Sequence, residues 1–302
     1  MRTVLLSLHL PSPLQEINDP LLEEKGLKLF VKREDLIHPV VSGNKWRKLK
    51  YNLSRAKTEG HDTLLSFGGA YSNHIHALAC AAKEEGFRAI GIIRGEEAKT
   101  LNDTLSYARE CGMELYFVSR EDYREKEEKY FLENLEKQFG RFYLIPEGGS
   151  NREGVQGCME IISELNIEWD TICTACGTGT TMAGLVASLP EDKKAIGFPV
   201  LKGGSFLYKE IQDQLSSFSK ERNSNWHLEE QYHFGGYAKW DQTLLDFIEG
   251  FKIKHRLELE PVYTGKMMYG IMELVRNDFF KKGTVVVALH TGGLQGLSGL
   301  KK

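Results

Sequence analysis

The chain has 302 residues, 41% hydrophobic and 27% charged, with a formal net charge of −3 at pH 7. That length is long for one hydrophobic core and predicts two domains, and the ordinary composition excludes disorder and collagen-like repetition. Scattered Lys and Arg, offset by nearby acids, leave no basic face for nucleic acid or an anionic membrane, and no apolar run reaches the about 18 residues of a membrane span.

Residues Met1 to Leu10 resemble a signal peptide only faintly. Their apolar part is short, is broken by Ser7 and His9, and precedes no small-residue cleavage site. A first strand or an extended arm is expected there. Leu29 to Lys32 is a strand signal, and His38-Pro39 marks a loop. A helical pattern runs from Lys45 through Leu49 and Leu53 to Ala56 and stops at Gly60. Next come a buried strand, Thr63 to Phe67, a turn from Gly68 to Asn73, an alanine-rich helix, His74 to Glu85, and a strand, Ala89 to Arg94. A helix capped by Asn102 ends at Cys111-Gly112, followed by a strand, Glu114 to Val118, and a charged helix, Tyr123 to Phe139. The strand Phe142 to Ile145 leads into Pro146-Glu-Gly-Gly-Ser-Asn151 and a helix to about Leu165.

Beyond it lie the strand Thr171 to Ala175, the loop Cys176 to Thr181, a helix to Leu189 and the strand Ala195 to Val200. A helix at Phe206 to Ser217, a strand at Trp226 to Tyr232 and helices at Gln242 to His255 and Thr264 to Asn277 precede the last strand, Thr284 to Leu289. Strand–helix alternation throughout predicts an α/β fold with mostly parallel sheets. No linker marks a boundary; a small domain is expected at 51–160, with 1–50 and 161–302 forming the large one. Five cysteines, an odd number, point to reduced thiols and a cytoplasmic protein.

Chemistry concentrates at the strand C-ends, the edge at which open α/β sheets bind ligands. Glycine-rich loops stand there at Gly68-Gly69, Gly148-Gly149, Gly177-Thr-Gly179 and Gly292-Gly293. Gly177-Thr-Gly-Thr-Thr181 precedes a helix, so converging backbone N–H groups, threonine hydroxyls and the helix N-terminus can cradle a phosphate. It lacks the Gly-Lys-Ser/Thr ending of a nucleotide loop, and Met182 replaces the third glycine of a dinucleotide fingerprint; a plain strand-to-helix turn is the alternative.

Lys45, after Gly43-Asn44 at a helix start, can point into a cleft, where an apolar setting lowers an ammonium pKa and frees a nucleophilic amine. In Ser72-Asn73-His74, Ser72 or Asn73 caps the next helix, while the trio can bind a carboxylate or a ring oxygen. His74 and His76 lack the carboxylates of a metal site. Cys173 and Cys176 have no second pair for zinc, and Cys173 packs inside a strand. Tyr263 and Thr264 open the helix at 264, with Thr264 as its expected cap, and Tyr232 and Tyr237 read as buried tyrosines.

A nucleophilic lysine, a phosphate cradle and a carboxylate site are what a pyridoxal phosphate enzyme requires. The motifs resemble the D-cysteine desulfhydrase/1-aminocyclopropane-1-carboxylate (ACC) deaminase family of the tryptophan synthase β-like fold (fold type II). They are Val31-Lys-Arg-Glu-Asp-Leu36, Ser42-Gly-Asn-Lys-Trp-Arg-Lys-Leu49, Ser72-Asn-His74, Pro146 to Asn151, Glu260-Pro-Val-Tyr263 and His290-Thr-Gly-Gly293. Serine/threonine dehydratases and cysteine synthases of that fold carry a different lysine context.

The resemblance implies two sheet domains with the active site between them, a homodimer, and pyridoxal phosphate as cofactor. Lys45 would be the Schiff-base lysine, with Asn44 beside it, Asn73 at the ring hydroxyl, and Gly177, Thr178, Gly179, Thr180 and Thr181 at the phosphate. Ser72, Asn73 and His74 would take the substrate carboxylate, with Ser72, Tyr232 and Tyr263 in catalysis. Thr264 would sit at the pyridine nitrogen, with Thr291 nearby. ACC deaminases carry Glu and Leu at those two positions; the threonines match D-cysteine desulfhydrases. A neutral hydroxyl makes the ring a weaker electron sink, adequate for expelling thiolate. The implied reaction turns a small amino acid into a 2-oxo acid and ammonia, with pyruvate and sulfide from D-cysteine. The alternatives are ACC deaminase proper, giving 2-oxobutyrate, and a pyridoxal phosphate- or phosphometabolite-binding protein without catalysis. The chain departs from the family at Ala70-Tyr71, where Gln before Ser is usual, at His76, where Arg is common, and in its shorter span between about 200 and 240.

Overall fold

A computed structural model of the protein describes residues 6–218 and 224–295. Its strands are β1 (Leu14–Ile17), β2 (Lys28–Lys32), β3 (Thr63–Gly69), β4 (Arg88–Arg94), β5 (Glu114–Val118), β6 (Tyr143–Ile145), β7 (Thr171–Cys176), β8 (Lys194–Pro199), β9 (Trp226–Leu228) and β10 (Val285–Leu289). Its helices are α1 (Pro20–Lys25), α2 (Asn44–Thr58), α3 (Asn73–Glu85), α4 (Asp103–Glu110), α5 (Lys129–Phe139), α6 (Arg152–Ser163), α7 (Thr180–Ala187), α8 (Phe206–Leu215), α9 (Gln242–His255) and α10 (Thr264–Arg276). They form two sheets, a six-stranded one ordered β1-β2-β10-β7-β8-β9 and a four-stranded one ordered β5-β4-β3-β6. Every pairing is parallel except β1 with β2, so the α/β architecture read from the alternation is the one observed.

Parallel strands need crossover connections, and the helices that supply them cover both faces of each sheet. Met267, Met268 and Ile271 of α10 and Phe251 of α9 cover one face of the larger sheet. Val155 and Cys158 of α6, Leu185 of α7 and Ile211 of α8 cover the other. The smaller sheet has α2, α3 and α4 on one face and Tyr123 with α5 on the other. Central strands are buried on both sides, as β3 is over its first six residues, Thr63 and Ser66 included.

Two glycines draw three helices close. A Cβ on Gly157 of α6 would stand 1.8 Å from the Arg47 carbonyl oxygen of α2, and one on Gly184 of α7 would stand 2.3 Å from Cys158 Cβ. α2, α6 and α7 are thereby packed backbone to backbone. α2 is also locked electrostatically. Arg47, fully buried, donates to both oxygens of Glu34 at 2.8 and 2.9 Å and to both oxygens of Glu164 at 2.6 and 2.7 Å.

The sequence expectations differ from the structure in four places. Of the N-terminal segment expected as a strand or an extended arm, residues 1–5 lie outside the described residues and 6–10 carry no strand, so the first strand among the described residues is β1. α1 went unread, although Asp19 accepts from Leu21 N–H, Pro20 opens the helix and Gly26 closes it at φ 66°. The charged helix is two pieces, a 3₁₀ turn at Asp122–Glu125 and α5 from Lys129. The strand placed at 226–232 stops at Leu228, because this edge strand pairs only with Ala195 to Gly197.

Candidate active site

A cavity of about 600 Å³ opens where the strand C-ends of both sheets meet, walled by the loops after β3, β6, β7 and β10 and by the first turn of α2. Lys45 enters from that turn. The residue before α2, Gly43, has φ 63°, and a Cβ there would fall 1.9 Å from the Thr291 carbonyl oxygen. Only glycine lets α2 begin against the end of β10. Lys45 thus reaches the wall enclosed by protein, though part of its surface opens onto the cavity. Burial, reinforced by the Lys48 charge, outweighs Glu260 and pushes its ammonium down to about 7. Near neutral pH a large share is free amine.

Lys48 lies one turn further along α2, on the same face as Lys45. Burial lowers its pKa too. Its Nζ lies 3.5 Å from Thr178 Oγ1, and among the described residues it has no carboxylate partner. A buried cation without a counter-charge, facing the first turn of α7, is the complement of an anion. The loop is braced around it. Thr181 Oγ1 accepts from Asn44 Nδ2 at 2.9 Å, the hydroxyls of Thr178 and Thr180 are 3.1 Å apart, and Thr180 donates to Ser150 Oγ at 2.8 Å. Gly179 turns the chain at φ 77°, and a Cβ on Gly177 would press on the Tyr263 ring at 3.1 Å.

The opposite wall is the start of α3. Ser72 caps it, its Oγ accepting from Ile75 N–H at 3.2 Å, and Asn73 Oδ1 accepts from Gln295 Nε2 at 2.9 Å. His74 is fixed in one tautomer. Ser66 gives its hydroxyl proton to the Ile145 carbonyl at 2.7 Å, so at 2.9 Å His74 Nε2 must donate to Ser66 Oγ. Burial, with the charges of Lys45 and Lys48, pushes His74 down to about 3, and it stays neutral.

Lys45, Asn44, Ser72, Asn73, His74, Gly177, Thr178, Gly179, Thr181, Tyr263 and Thr291 all line the one cavity. Three expected residues do not. Thr180 is spent on Ser150. Tyr232 packs beside Phe198 and Tyr269, with ring centroids 6.4 and 6.2 Å away, while Tyr237, exposed and not buried as expected, lines the cavity with its ring 6.1 Å from Tyr263 and nearly perpendicular to it. Thr264, fully buried, donates to Glu260 Oε1 at 3.2 Å and accepts from Glu260 N–H at 3.0 Å. The cap of α10 is the Glu260 carboxylate, which accepts the N–H groups of Val262, Tyr263 and Thr264 at 2.6–2.8 Å. Desolvation still leaves its carboxyl above the ordinary value. Sequence reasoning missed Lys48, Tyr237 and Glu260. Spacing by three from Lys45 could have found Lys48, and Gly235-Gly236 before Tyr237 hinted at a shaped turn.

The site's geometry has counterparts. The family described as pyridoxal-phosphate dependent enzyme matches residues 5–292. The bifunctional D-cysteine desulfhydrase/1-aminocyclopropane-1-carboxylate deaminase of Arabidopsis thaliana mitochondria is 31% identical over 314 residues, covering 96% of this chain and 78% of that one. A solved ACC deaminase homologue superposes with a TM-score of 0.80 at 29% identity, covering 96% of this chain and 91% of that one. A hydrogen sulfide-producing enzyme from Fusobacterium nucleatum, 16% identical with a TM-score of 0.66 over 93% of this chain and 95% of that one, shares the fold.

Proposed function

The chain belongs to the pyridoxal-phosphate-dependent enzyme family, and on that premise we propose that it converts a small amino acid into a 2-oxo acid and ammonia, with D-cysteine as the substrate. One observation carries this reading: a lysine with its ammonium held near 7 shares a cavity with a second, buried lysine that has no carboxylate partner among the described residues. The residues present fit the cofactor. Lys48, Thr178, Thr181 and the N–H groups at the start of α7 would hold its phosphate, Asn73 its ring oxygen, and Lys45 would anchor it. Bound there, pyridoxal phosphate supplies an electron-withdrawing ring that stabilises charge on the substrate's Cα.

The chain supplies the rest. Lys45, as a free amine, would be the base for the α-proton, with a pKa suited to neutral pH. Ser72 and Asn73 bind the substrate carboxylate at the α3 N-terminus, where N–H groups favour an anion; the His74 side chain, its one N–H given to Ser66, has no proton to offer that carboxylate and drops out of the set. Tyr263, raised well above the usual tyrosine range by burial and Tyr237, stays a phenol and can hand a proton to a departing thiolate. Tyr237 takes the role first given to Tyr232. Thr291 lines the cavity and Thr264 lies behind its wall on Glu260; the pair, standing where ACC deaminases carry Leu and Glu, supports the D-cysteine reading by resemblance and not through a contact of Thr264. We further read 51–160, which encloses the four-stranded sheet, as the small domain, and the protein as a cytoplasmic homodimer.

Two measurements test this reading. With D-cysteine, L-cysteine and ACC offered separately, 2-oxo acid formation from D-cysteine should exceed that from ACC by at least about tenfold, the low end of what one pocket contact gives. The plant relative, whose name carries both activities, makes ACC the second reading, and preference for ACC would sink the threonine argument. Colour without product from any of the three would leave a binding protein. Lys48→Met should weaken pyridoxal phosphate binding about 10–150-fold, the worth of one charge-assisted hydrogen bond. Titrating cofactor-free protein and following visible absorbance measures this; unchanged affinity would remove Lys48 from the phosphate site.

A further inference from the structure

The turn that carries Tyr237 has an unusual backbone. Phe234, Gly235, Gly236 and Ala238 have φ of 50°, 88°, 117° and 51°. The two non-glycine residues hold a conformation disfavoured for L-amino acids, so the surroundings must impose it. The turn has bonds of its own, Gly235 N–H to His233 Nδ1 at 2.9 Å, Gly236 N–H to the His233 carbonyl at 3.0 Å and Lys239 N–H to the Gly236 carbonyl at 3.2 Å; what grips it from outside is an ammonium. Lys266 on α10 is 1% exposed, and its Nζ donates to the Gly236 carbonyl at 2.7 Å, the His233 carbonyl at 2.9 Å and the Val200 carbonyl at 3.5 Å. Three donors meet three acceptors, and among the described residues no carboxylate lies within ion-pair distance of it.

An ammonium suits this seat because its donors diverge, whereas a guanidinium would present a planar fork. A salt bridge would fix one point; three carbonyls from two segments fix a shape. Two of them, His233 and Gly236, span the turn that ends at Tyr237. Lys266 itself stands three residues after Tyr263, so one side chain joins the segments bearing both wall tyrosines.

We propose that Lys266 is the positioning residue of Tyr237: its ammonium, seated on the carbonyls of Val200, His233 and Gly236, holds the 233–238 turn in its left-handed backbone and so sets Tyr237 against Tyr263 at the cavity wall. The consequence for catalysis rests on the active-site reading above, whereas the effect on the turn does not.

The test compares Lys266→Met, Lys266→Ala, Tyr237→Phe and the Lys266→Met/Tyr237→Phe double variant. In cofactor-free protein, amide hydrogen exchange over 233–239 should speed up on the order of tenfold or more in Lys266→Met, the equivalent of one lost hydrogen bond, with exchange in β3, β7 and β10 unchanged. With pyridoxal phosphate and D-cysteine, Lys266→Met should lower kcat by the same factor as Tyr237→Phe at unchanged KM, and the double variant should fall no further. Adding n-propylammonium to Lys266→Ala should restore both readouts saturably. Should Lys266→Met fail to fold, Lys266→Ala purified with the amine supplies the same comparison. Unchanged exchange over 233–239, acceleration spread evenly through the protein, or losses that multiply in the double variant would overturn the proposal. The exchange arm needs neither cofactor nor turnover, so failure of the active-site reading shows separately, as a wild type that binds no pyridoxal phosphate.

Discussion

Lys45→Ala gives a folded, colourless protein whose 2-oxo acid formation from D-cysteine drops by at least about 10³-fold, within the range that acid–base catalysis alone supplies. The residue combines two roles, anchor and base, so no neighbour can substitute: Lys48 is directed at Thr178 Oγ1, 3.5 Å away. Folding should survive, because a buried ammonium is a cost to the folded state. The folded pKa of about 7 lies below the ordinary 10.5. Between those values the unfolded chain binds more protons than the folded one, so this group makes stability rise with pH; below 7 its penalty is complete. Relative to wild type, both cofactor-free, Lys45→Ala should therefore gain most in Tm below pH 7, with the gain shrinking as pH approaches 10.5. The checks are visible absorbance, 2-oxo acid yield, and melting at several pH values. A variant that keeps the colour would remove Lys45 from the anchor position.

The α/β class was readable because parallel strands buried on both faces stand out as apolar runs between helices with caps, such as Asn102 and Gly86. Most of the cavity wall was readable for a related reason. Strand C-ends are where ligands bind, and glycine-rich turns mark them. What the sequence concealed depends on where side chains go after the chain has folded. Tyr232 and Tyr237 are five residues apart in one glycine-rich stretch, and neither periodicity nor spacing says which faces the cavity; the left-handed turn at 234–238 decides. Thr264 looked like a cap because threonine is a good one, but a carboxylate four residues earlier accepts three N–H groups and outcompetes a hydroxyl. Lys266 carries no local signal, since all its partners are carbonyls at least 30 positions away.

The same limit hid the feature with the largest expected effect on stability. Arg47 sits two residues after Lys45 and reads as a surface cation on a basic helix, yet it is fully buried between Glu34 and Glu164. Lys32 joins the set, donating to Glu164 at 3.1 Å and to the Ser12 carbonyl at 2.7 Å, while Ser12 Oγ donates to Glu34 at 2.6 Å. Glu160, 3.5 Å from Arg47 and 2.6 Å from Lys50, extends it, so three cations and three carboxylates balance. Arg47→Leu breaks that balance by leaving three carboxylates with two lysines, and the expected loss is about 3–5 kcal/mol. Against a total stability of about 5–15 kcal/mol this is severe. Arg47→Lys recovers little of it, because a single ammonium cannot fork to four oxygens.

The acid limb separates this cause from lost packing. Burial raises the Glu164 carboxyl, but Arg47 and Lys32 outweigh it and hold the group below its usual 4.5. A carboxyl depressed in the folded state contributes stability that is complete above 4.5 and fades as pH falls through the folded value. Urea unfolding should show the midpoint of Arg47→Leu well below wild type at pH 7, and the gap should narrow below pH 4.5. A gap that stays constant across that range would assign the loss to packing alone. Because α2 also carries Lys45 and Lys48 to the cavity, cofactor affinity should fall together with the midpoint.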